Sequence, residues 1–386
     1  MEMLVNLALG DAFFYFAVYL WIFGIAMIEI NLPLDFPARK VMARVTLVGL
    51  WLMLGLRWET GTDWAAYLDL FKQLELDTSL ILAVYHFDIG YVLLNALVRL
   101  FSDNYTVFLL VNSAIALALI YVFVRRVSPF PNASLLVFYT SYFVAHYMGS
   151  NRRILAIGLL LVMFTYAVKG DSVRRAVLQS FAFGFHRTSL VGIIDRFVPD
   201  EHFTKRQLAV IFGVCGALGA SQSSVSIVQN VGILLSQFTD AGIVEKMIYY
   251  GTTSSEHVAE NVDIATQTTL ALIKRGLFVI VFFSTLRRDS TSGQHSRLLN
   301  FYLLSIAIYV AFIGSPIFQV LSTYFAAVEI GLVGMVVAYL PRSQRSMFVV
   351  FLFLYGVLQL VSALNPYPDL FLPYLSIFSD AKRWAL

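Results

Sequence analysis

Arg57-Trp-Glu-Thr-Gly-Thr-Asp-Trp-Ala-Ala-Tyr67 follows directly on the largely apolar run from Val45 to Leu56. This junction sets the reading of the whole chain. A helix leaves a bilayer near Leu56, and an Arg, an Asp and a Tyr gather around Gly61 at the membrane surface. Lipid offers such groups no partner. Arg57 can bind an anionic oxygen, Asp63 can orient that Arg or take a proton, and Tyr67 lies one helical turn past Asp63 on the same face. The competing reading is a solvated helix end whose Arg and Asp satisfy one another, because charged residues are usual where spans end.

Composition agrees with a membrane solvent. Of 386 residues, 59% are hydrophobic and only 13% charged, and the mean hydropathy is +0.76. Apolar runs of roughly 17–25 residues predict an all-α, polytopic membrane protein with about twelve crossings around a single core. Cys215 is the single cysteine, which excludes an intramolecular disulfide, a thiolate metal cluster and a Cys-x-x-Cys redox pair. The N-terminus lacks a basic region and a small-residue cleavage site before the run ending near Ile28, so it reads as a retained span.

The expected spans are about 8–28, 41–56, 104–124, 131–149, 151–168, 174–186, 188–199, 207–220, 268–286, 298–316, 318–340 and 346–364. Basic connections fall on alternate turns: Arg39, Lys40 and Arg44; Arg125 and Arg126; Lys169, Arg174 and Arg175; Arg196, Lys205 and Arg206; Arg287, Arg288 and Arg297; Arg342 and Arg345. The positive-inside rule assigns these to the cytoplasm. Both termini and the loops of about 57–103 and 221–267 then face outward, the first loop carrying Glu59, Asp63, Asp69, Glu75 and Asp77. Within it, Phe87 to Phe101 reads as an amphipathic helix along the external interface, since its apolar residues recur at three and four. The second loop has room for one or two short helices and can act as a lid. Gly184, His186 and Arg187 interrupt 173–198, which predicts two half-helices meeting at His186 beside protein or a wet cavity. The proline-rich tail after the last span is irregular and receives no role.

This topology collects Arg57, Asp63, Asp88, Arg99, Arg152, Arg153, His186, Arg187, Lys274 and Arg275 on one surface. Arg152 and Arg153 are the sharper case, because Asn151-Arg-Arg-Ile-Leu-Ala-Ile-Gly opens a strongly apolar span at a tight turn. Phosphate is the natural partner: Arg carries a planar, always-charged fork of donors, and a helix N-terminus adds free N–H groups. The alternative pairs these arginines with Asp63, Asp88 or lipid headgroups. His186 reads as a general base, an orienting donor or a packed polar residue. Glu329, near the middle of its span, reads as functional or as a neutralised acid bonded to a neighbouring helix. No Asp-x-Asp and no His/carboxylate cluster points to a metal, and no cofactor is implied.

The chain resembles the EpsG-like, Wzy-type polysaccharide polymerases of bacterial envelopes. The resemblance rests on Arg57-x-x-x-Gly61-x-Asp63-x-x-x-Tyr67, on Asp88-Ile-Gly90, on Arg152-x-x-x-Ala156 opening a span and on His186-Arg-Thr-Ser189, in order over roughly residues 40–340. It departs at Val320-Leu-Ser-Thr-Tyr324-Phe325, which lacks the Arg expected before the Tyr-Phe pair; either Arg275 substitutes or that contact is absent. The resemblance implies a GT-C-like membrane glycosyltransferase in the bacterial cytoplasmic membrane, joining undecaprenyl-pyrophosphate-linked repeat units at the external side. Donor and acceptor glycans and membrane lipids are the implied partners, with a chain-length regulator and a flippase as candidates and no nucleic acid. Arg152, with Arg57 or Arg153, is expected to hold the pyrophosphate. His186 or Asp63 is expected to take the acceptor proton, with Tyr67, Asp88 and Arg275 contacting substrate. Two other readings are a glycan ligase with similar site chemistry and a lipid-linked saccharide flippase. The flippase reading predicts mid-bilayer ionisable groups and two related halves. Glu329 favours it; the absence of an internal repeat and the one-sided polar set oppose it.

Overall fold

A computed structural model of the chain describes residues 10–74, 87–166, 171–237, 242–252, 263–286, 293–381 and 383. These residues form helices and connections, with no strand among them beyond one isolated bridge between Arg57 and Ser376. In chain order the longer helices are α1 Phe13–Asn31, α2 Phe36–Gly55, α3 Trp64–Gln73, α4 Ile89–Arg99, α5 Tyr105–Val127, α6 Pro131–Phe138, α7 Asn151–Phe164 and α8 Ser172–Phe185. They continue with α9 Lys205–Ala220, α10 Ser223–Ser236, α11 Gly242–Thr252, α12 Ile264–Leu286, α13 Gly293–Ala311, α14 Glu329–Tyr339 and α15 Arg342–Leu364. A π-helix, Tyr139–Tyr147, extends α6, and a 3-10 helix, Arg187–Phe197, follows α8.

Among the described residues, four helices are long and apolar enough to cross a membrane, and up to six spans result if each of two bent pairs counts as one. The protein is thus a multi-pass helical membrane protein. Several expected spans are shorter or more broken than the hydropathy reading suggests. In the 151–168 run the helix ends at Phe164, before Thr165 and Tyr166, and 318–340 divides into Pro316–Gln319, Val320–Ser322, Thr323–Ala326 and α14. The interruption at His186 is present: α8 ends at Phe185 and the 3-10 stretch begins at Arg187. Among the described residues of the 221–267 stretch, α10 and α11 are helical, and α12 begins within it at Ile264. Glu75, Asp77, Lys169, Arg287 and Arg288 lie outside the described residues.

The described chain divides into two compact units. Unit 1 comprises residues 1–165, 180–186 and 330–386. Local sequence starts its helices: Asp35 accepts the Ala38 amide at 2.8 Å, and Pro37 sits in the first turn of α2, where its missing N–H is not needed. Then α2 packs on α5, α5 on α7, α1 on α6, and α15 on the π-helix. Helix α7 is apolar on all sides after its first turn, and Ile154, Leu155, Ala156, Leu160 and Leu161 are fully buried. Because lipid tails are as apolar as leucine, close packing rather than water exclusion holds such helices together.

One polar knot locks this unit. Glu29, buried in α1, accepts from the Asn132 amide at 2.9 Å, Asn132 Nδ2 at 2.9 Å and the Ala133 amide at 3.1 Å. Those amides are first-turn donors of α6 that no helix can satisfy internally. A carboxylate from another helix does so, and it also suits the positive end of the α6 dipole.

Unit 2 comprises residues 166–179 and 187–329. Asp195 of the 3-10 stretch is clamped between the buried guanidinium groups of Arg175 and Arg297, and Arg297 Nη1 also donates to Tyr166 O at 2.8 Å. Asn300 fixes the following turn, donating to Glu201 O at 2.6 Å and accepting from the Phe203 amide at 3.0 Å. Thr204 and Gln207 cap α9 reciprocally, which sets its entry point.

Candidate active site

Gly61 determines how the chain turns out of α2 into the polar cluster. Its φ of +118° is closed to side-chain-bearing residues, and a Cβ there would lie 2.0 Å from Met148 O. The turn brings Arg57 inward, where its side chain is 1% exposed. Arg57 donates to Leu54 O at 3.0 Å and to Asn151 Oδ1 at 2.6 Å. Burial pulls this guanidinium below its ordinary value against opposing tyrosines, Tyr105 foremost; Arg remains charged under such shifts. Asp63 does not orient Arg57. Its Oδ2 accepts from Tyr67 OH at 3.2 Å, the one-turn relation expected from the spacing.

Tyr67 carries the network onward. Its hydroxyl lies 2.9 Å from Ser150 Oγ and accepts from Arg152 Nε at 3.4 Å. Burial raises its pKa, so the phenol stays protonated. Arg152 donates through Nη1 to Asp88 Oδ2 at 2.7 Å, and its guanidinium lies 4.8 Å from the centre of the Phe87 ring. His186 Nδ1 stands 3.5 Å from the same Asp88 oxygen. That nitrogen is buried and makes no hydrogen bond. Glycine packing creates this meeting: a Cβ on Gly90 would come within 2.9 Å of the Gly184 backbone. The missing side chain at Gly90 lets the start of α4 approach the Gly184 backbone at the end of α8, two residues away from Asp88 and His186 respectively.

His186 lies at the helix break, outside every helix that qualifies as a span. Burial pulls its pKa from 6.5 to about 4, with Arg153 and Arg152 pulling the same way and the Asp88 carboxylate opposing them. The imidazole is therefore neutral at physiological pH. Arg153 forms no ion pair or hydrogen bond among the described residues, and its buried Nε lacks a partner. Arg152 and Arg153 also occupy the first turn of α7, where the helix dipole disfavours cations. Three guanidinium groups thus stand against the carboxylates of Asp63 and Asp88, and this excess of positive charge suits an anion with several oxygens.

The structure brings together Arg57, Asp63, Tyr67, Asp88, Arg152, Arg153 and His186, all in unit 1. Arg275 belongs to unit 2, where its guanidinium lies 3.9 Å from the centre of the Tyr309 ring and Nη1 donates to Ala271 O at 3.2 Å. Glu329, also in unit 2, pairs with Lys274 at 3.6 Å. Arg99 is structural: it donates to Phe71 O at 2.6 Å and Lys72 O at 3.2 Å, capping the end of α3.

Sequence reasoning gave no role to Asn151, the fully buried hub of this network. Besides accepting from Arg57, it donates to Tyr105 OH at 3.3 Å and Tyr91 OH at 3.4 Å, and its carbonyl accepts from Asn112 at 3.3 Å. The available signal was an amide residue directly before two arginines, with another, Asn112, inside an apolar run.

In comparisons with known proteins, no curated protein and no solved structure matches the chain. The family model of the EpsG family, by contrast, matches residues 40–376, a range holding the whole Arg57-to-His186 network, and the chain belongs to this family of Wzy-like polysaccharide polymerases.

Proposed function

We propose that the protein polymerises oligosaccharide repeat units carried on undecaprenyl pyrophosphate, at the external face of the bacterial cytoplasmic membrane, within a GT-C-like arrangement of about twelve crossings. The observation that carries this reading is the Asp88 carboxylate between Arg152 and His186, with the unpaired Arg153 guanidinium beside them. A diphosphate leaving group needs fixed positive charge, and an acceptor hydroxyl needs a nearby base.

In the reaction, an acceptor hydroxyl oxygen attacks the anomeric carbon of the donor, and the bond from that carbon to the phosphate oxygen breaks. The electron pair leaves on the lipid diphosphate, which Arg152 and Arg153 stabilise. Such donors are each worth on the order of 3–4 kcal/mol in the transition state. The hydroxyl proton passes to His186. Asp88 faces Nδ1, which favours the tautomer with its proton there and leaves Nε2 free to accept. A bound diphosphate offsets the arginine charge that depresses the imidazole and so raises its basicity at the moment of use. Arg57 acts through Asn151, holding the start of α7 and with it both diphosphate-binding arginines. Tyr67 and Asp63 complete the wall of the site, and Asp63 is the second candidate base.

The test is reconstitution of the purified protein with lipid-linked repeat units already on the accessible face. A ladder of longer glycans supports the proposal. Movement of the lipid-linked unit without a new glycosidic bond would identify a flippase, and transfer to another acceptor without chain growth a ligase; either result removes the proposal.

A further inference from the structure

We infer that the segment following α15, residues 366–381 together with Arg383, is a positioning element of the site and not a loose tail. This segment crosses the Leu56–Gly61 turn and satisfies its backbone. The Trp58 amide donates to Leu375 O at 3.0 Å, the Gly61 amide to Leu370 O at 3.0 Å, and the Ile377 amide to Leu56 O at 3.0 Å. Thr60 Oγ1 accepts from the Leu375 amide at 3.2 Å, and its single proton is shared between Trp58 O at 3.0 Å and Leu375 O at 3.3 Å. Tyr374 OH donates to Met53 O at 2.7 Å, and Tyr15 OH of α1 donates to Phe371 O at 2.9 Å, so the segment is tied at both sides.

Arg383 is the clasp. Its Nη1 donates to Glu59 O at 2.6 Å and to Thr60 Oγ1 at 2.9 Å. Its Nη2 bonds Pro373 O and its own amide bonds the Glu59 carboxylate. One guanidinium therefore joins the turn to the segment that covers it. The turn needs such a clasp, because Glu59 is held at φ +47° and Gly61 at φ +118° in the connection between α2 and α3. A non-glycine residue at positive φ persists only where its surroundings over-determine it. Without the segment, the Trp58 and Gly61 amides would lose the acceptors that hold the turn in this conformation.

The consequence reaches the diphosphate-binding arginines through named bonds. The segment fixes the turn, the turn fixes Arg57, Arg57 holds Asn151, and Asn151 begins the helix that carries Arg152 and Arg153. The inference rests on the proposed role of those arginines. Arg383 and Tyr374 touch no reacting atom in it; they act through the turn.

The test compares full-length wild type, Arg383→Ala and Arg383→Lys in lipid nanodiscs. Amide exchange is followed at Trp58, Gly61 and Ile154, and affinity for inorganic pyrophosphate is measured per folded molecule. For Arg383→Ala, exchange at all three amides should rise and pyrophosphate affinity should fall, each by about tenfold or more, with Lys in between. A merely structural role would lower the amount of folded protein and leave the affinity of what remains untouched. Unchanged exchange at Trp58 and Gly61 would overturn the inference. So would looser exchange there with Ile154 and pyrophosphate affinity as in wild type. If wild type itself fails to bind pyrophosphate, the diphosphate reading falls, and exchange at Ile154 alone decides the positioning role. If Arg383→Ala does not insert, Tyr374→Phe, which deletes one hydrogen bond, should move the same amides in the same direction by less.

Discussion

Replacing Arg152 by Ala separates the two things this residue does. The side chain is 15% exposed and its partner Asp88 6%, with 2.7 Å between Nη1 and Oδ2. Breaking a buried pair by removing one partner costs about 3–5 kcal/mol, because the remaining charge is stranded. The low end applies here, since Arg152 keeps some contact with solvent. Removing a transition-state donor costs a further 3–4 kcal/mol in turnover, about 100- to 1000-fold. The assay is the glycan ladder made from lipid-linked repeat units, normalised to protein in the membrane, beside thermal unfolding in detergent. Arg152→Ala should lose both stability and ladder, with single repeat units accumulating on their carrier. The double variant Arg152→Ala/Asp88→Asn should regain stability without regaining the ladder, because neutralising Asp88 removes the stranded charge but restores no donor. Arg152→Lys keeps the charge but cannot reach Tyr67 and Asp88 with one fork, and should fall between. A normal ladder from Arg152→Ala, or one restored in the double variant, would refute the leaving-group role.

His186→Gln should lower turnover by roughly 100- to 10,000-fold with the protein still inserted, and wild-type turnover at neutral pH would remove the base role. Because the free-site imidazole is pulled down to about 4, it stays neutral until the pH falls through that value. The acid limb of kcat/KM should therefore lie near pH 4, well below 6.5, with the limb of kcat higher once diphosphate is bound; a kcat/KM limb at 6.5 or above contradicts the burial argument. Gly61→Ala should destabilise by more than the roughly 1–3 kcal/mol of backbone strain, since its Cβ would also collide with Met148 O; an unchanged unfolding temperature counts against the turn as described. Asp195→Asn should cost about 3–5 kcal/mol by leaving Arg175 and Arg297 without a full countercharge, read as a lower unfolding temperature.

A sequence decides what local chemistry can decide. The apolar runs required helices, since a backbone in lipid must bond to itself. The interruption Gly184-Phe-His-Arg187 required a break, and the spacing of Asp63 and Tyr67 required one face. The residue types of the site were legible for the same reason: guanidinium groups at span ends have few purposes in a membrane, and the motif order carried the family. Hydropathy could not decide where a run is interrupted. The 318–340 stretch is apolar enough to read as one span yet divides into several helical pieces, because hydropathy averages over a window and does not register backbone breaks within it.

Partners were beyond the sequence altogether. Asp63 was open to pairing with Arg57, but folding gave it to Tyr67 and tied Arg57 to Asn151, a choice made by residues 94 positions apart in the chain. Glu29 reads as a charge near the end of a span, and only the packing of α1 on α6 makes it the acceptor for a helix start 103 residues away. The tail offered no periodicity to interpret, because many of its bonds are to the backbone of a turn more than 300 residues earlier. Backbone-to-backbone contacts leave almost no trace in side-chain type, so tertiary structure alone could place that segment against the site.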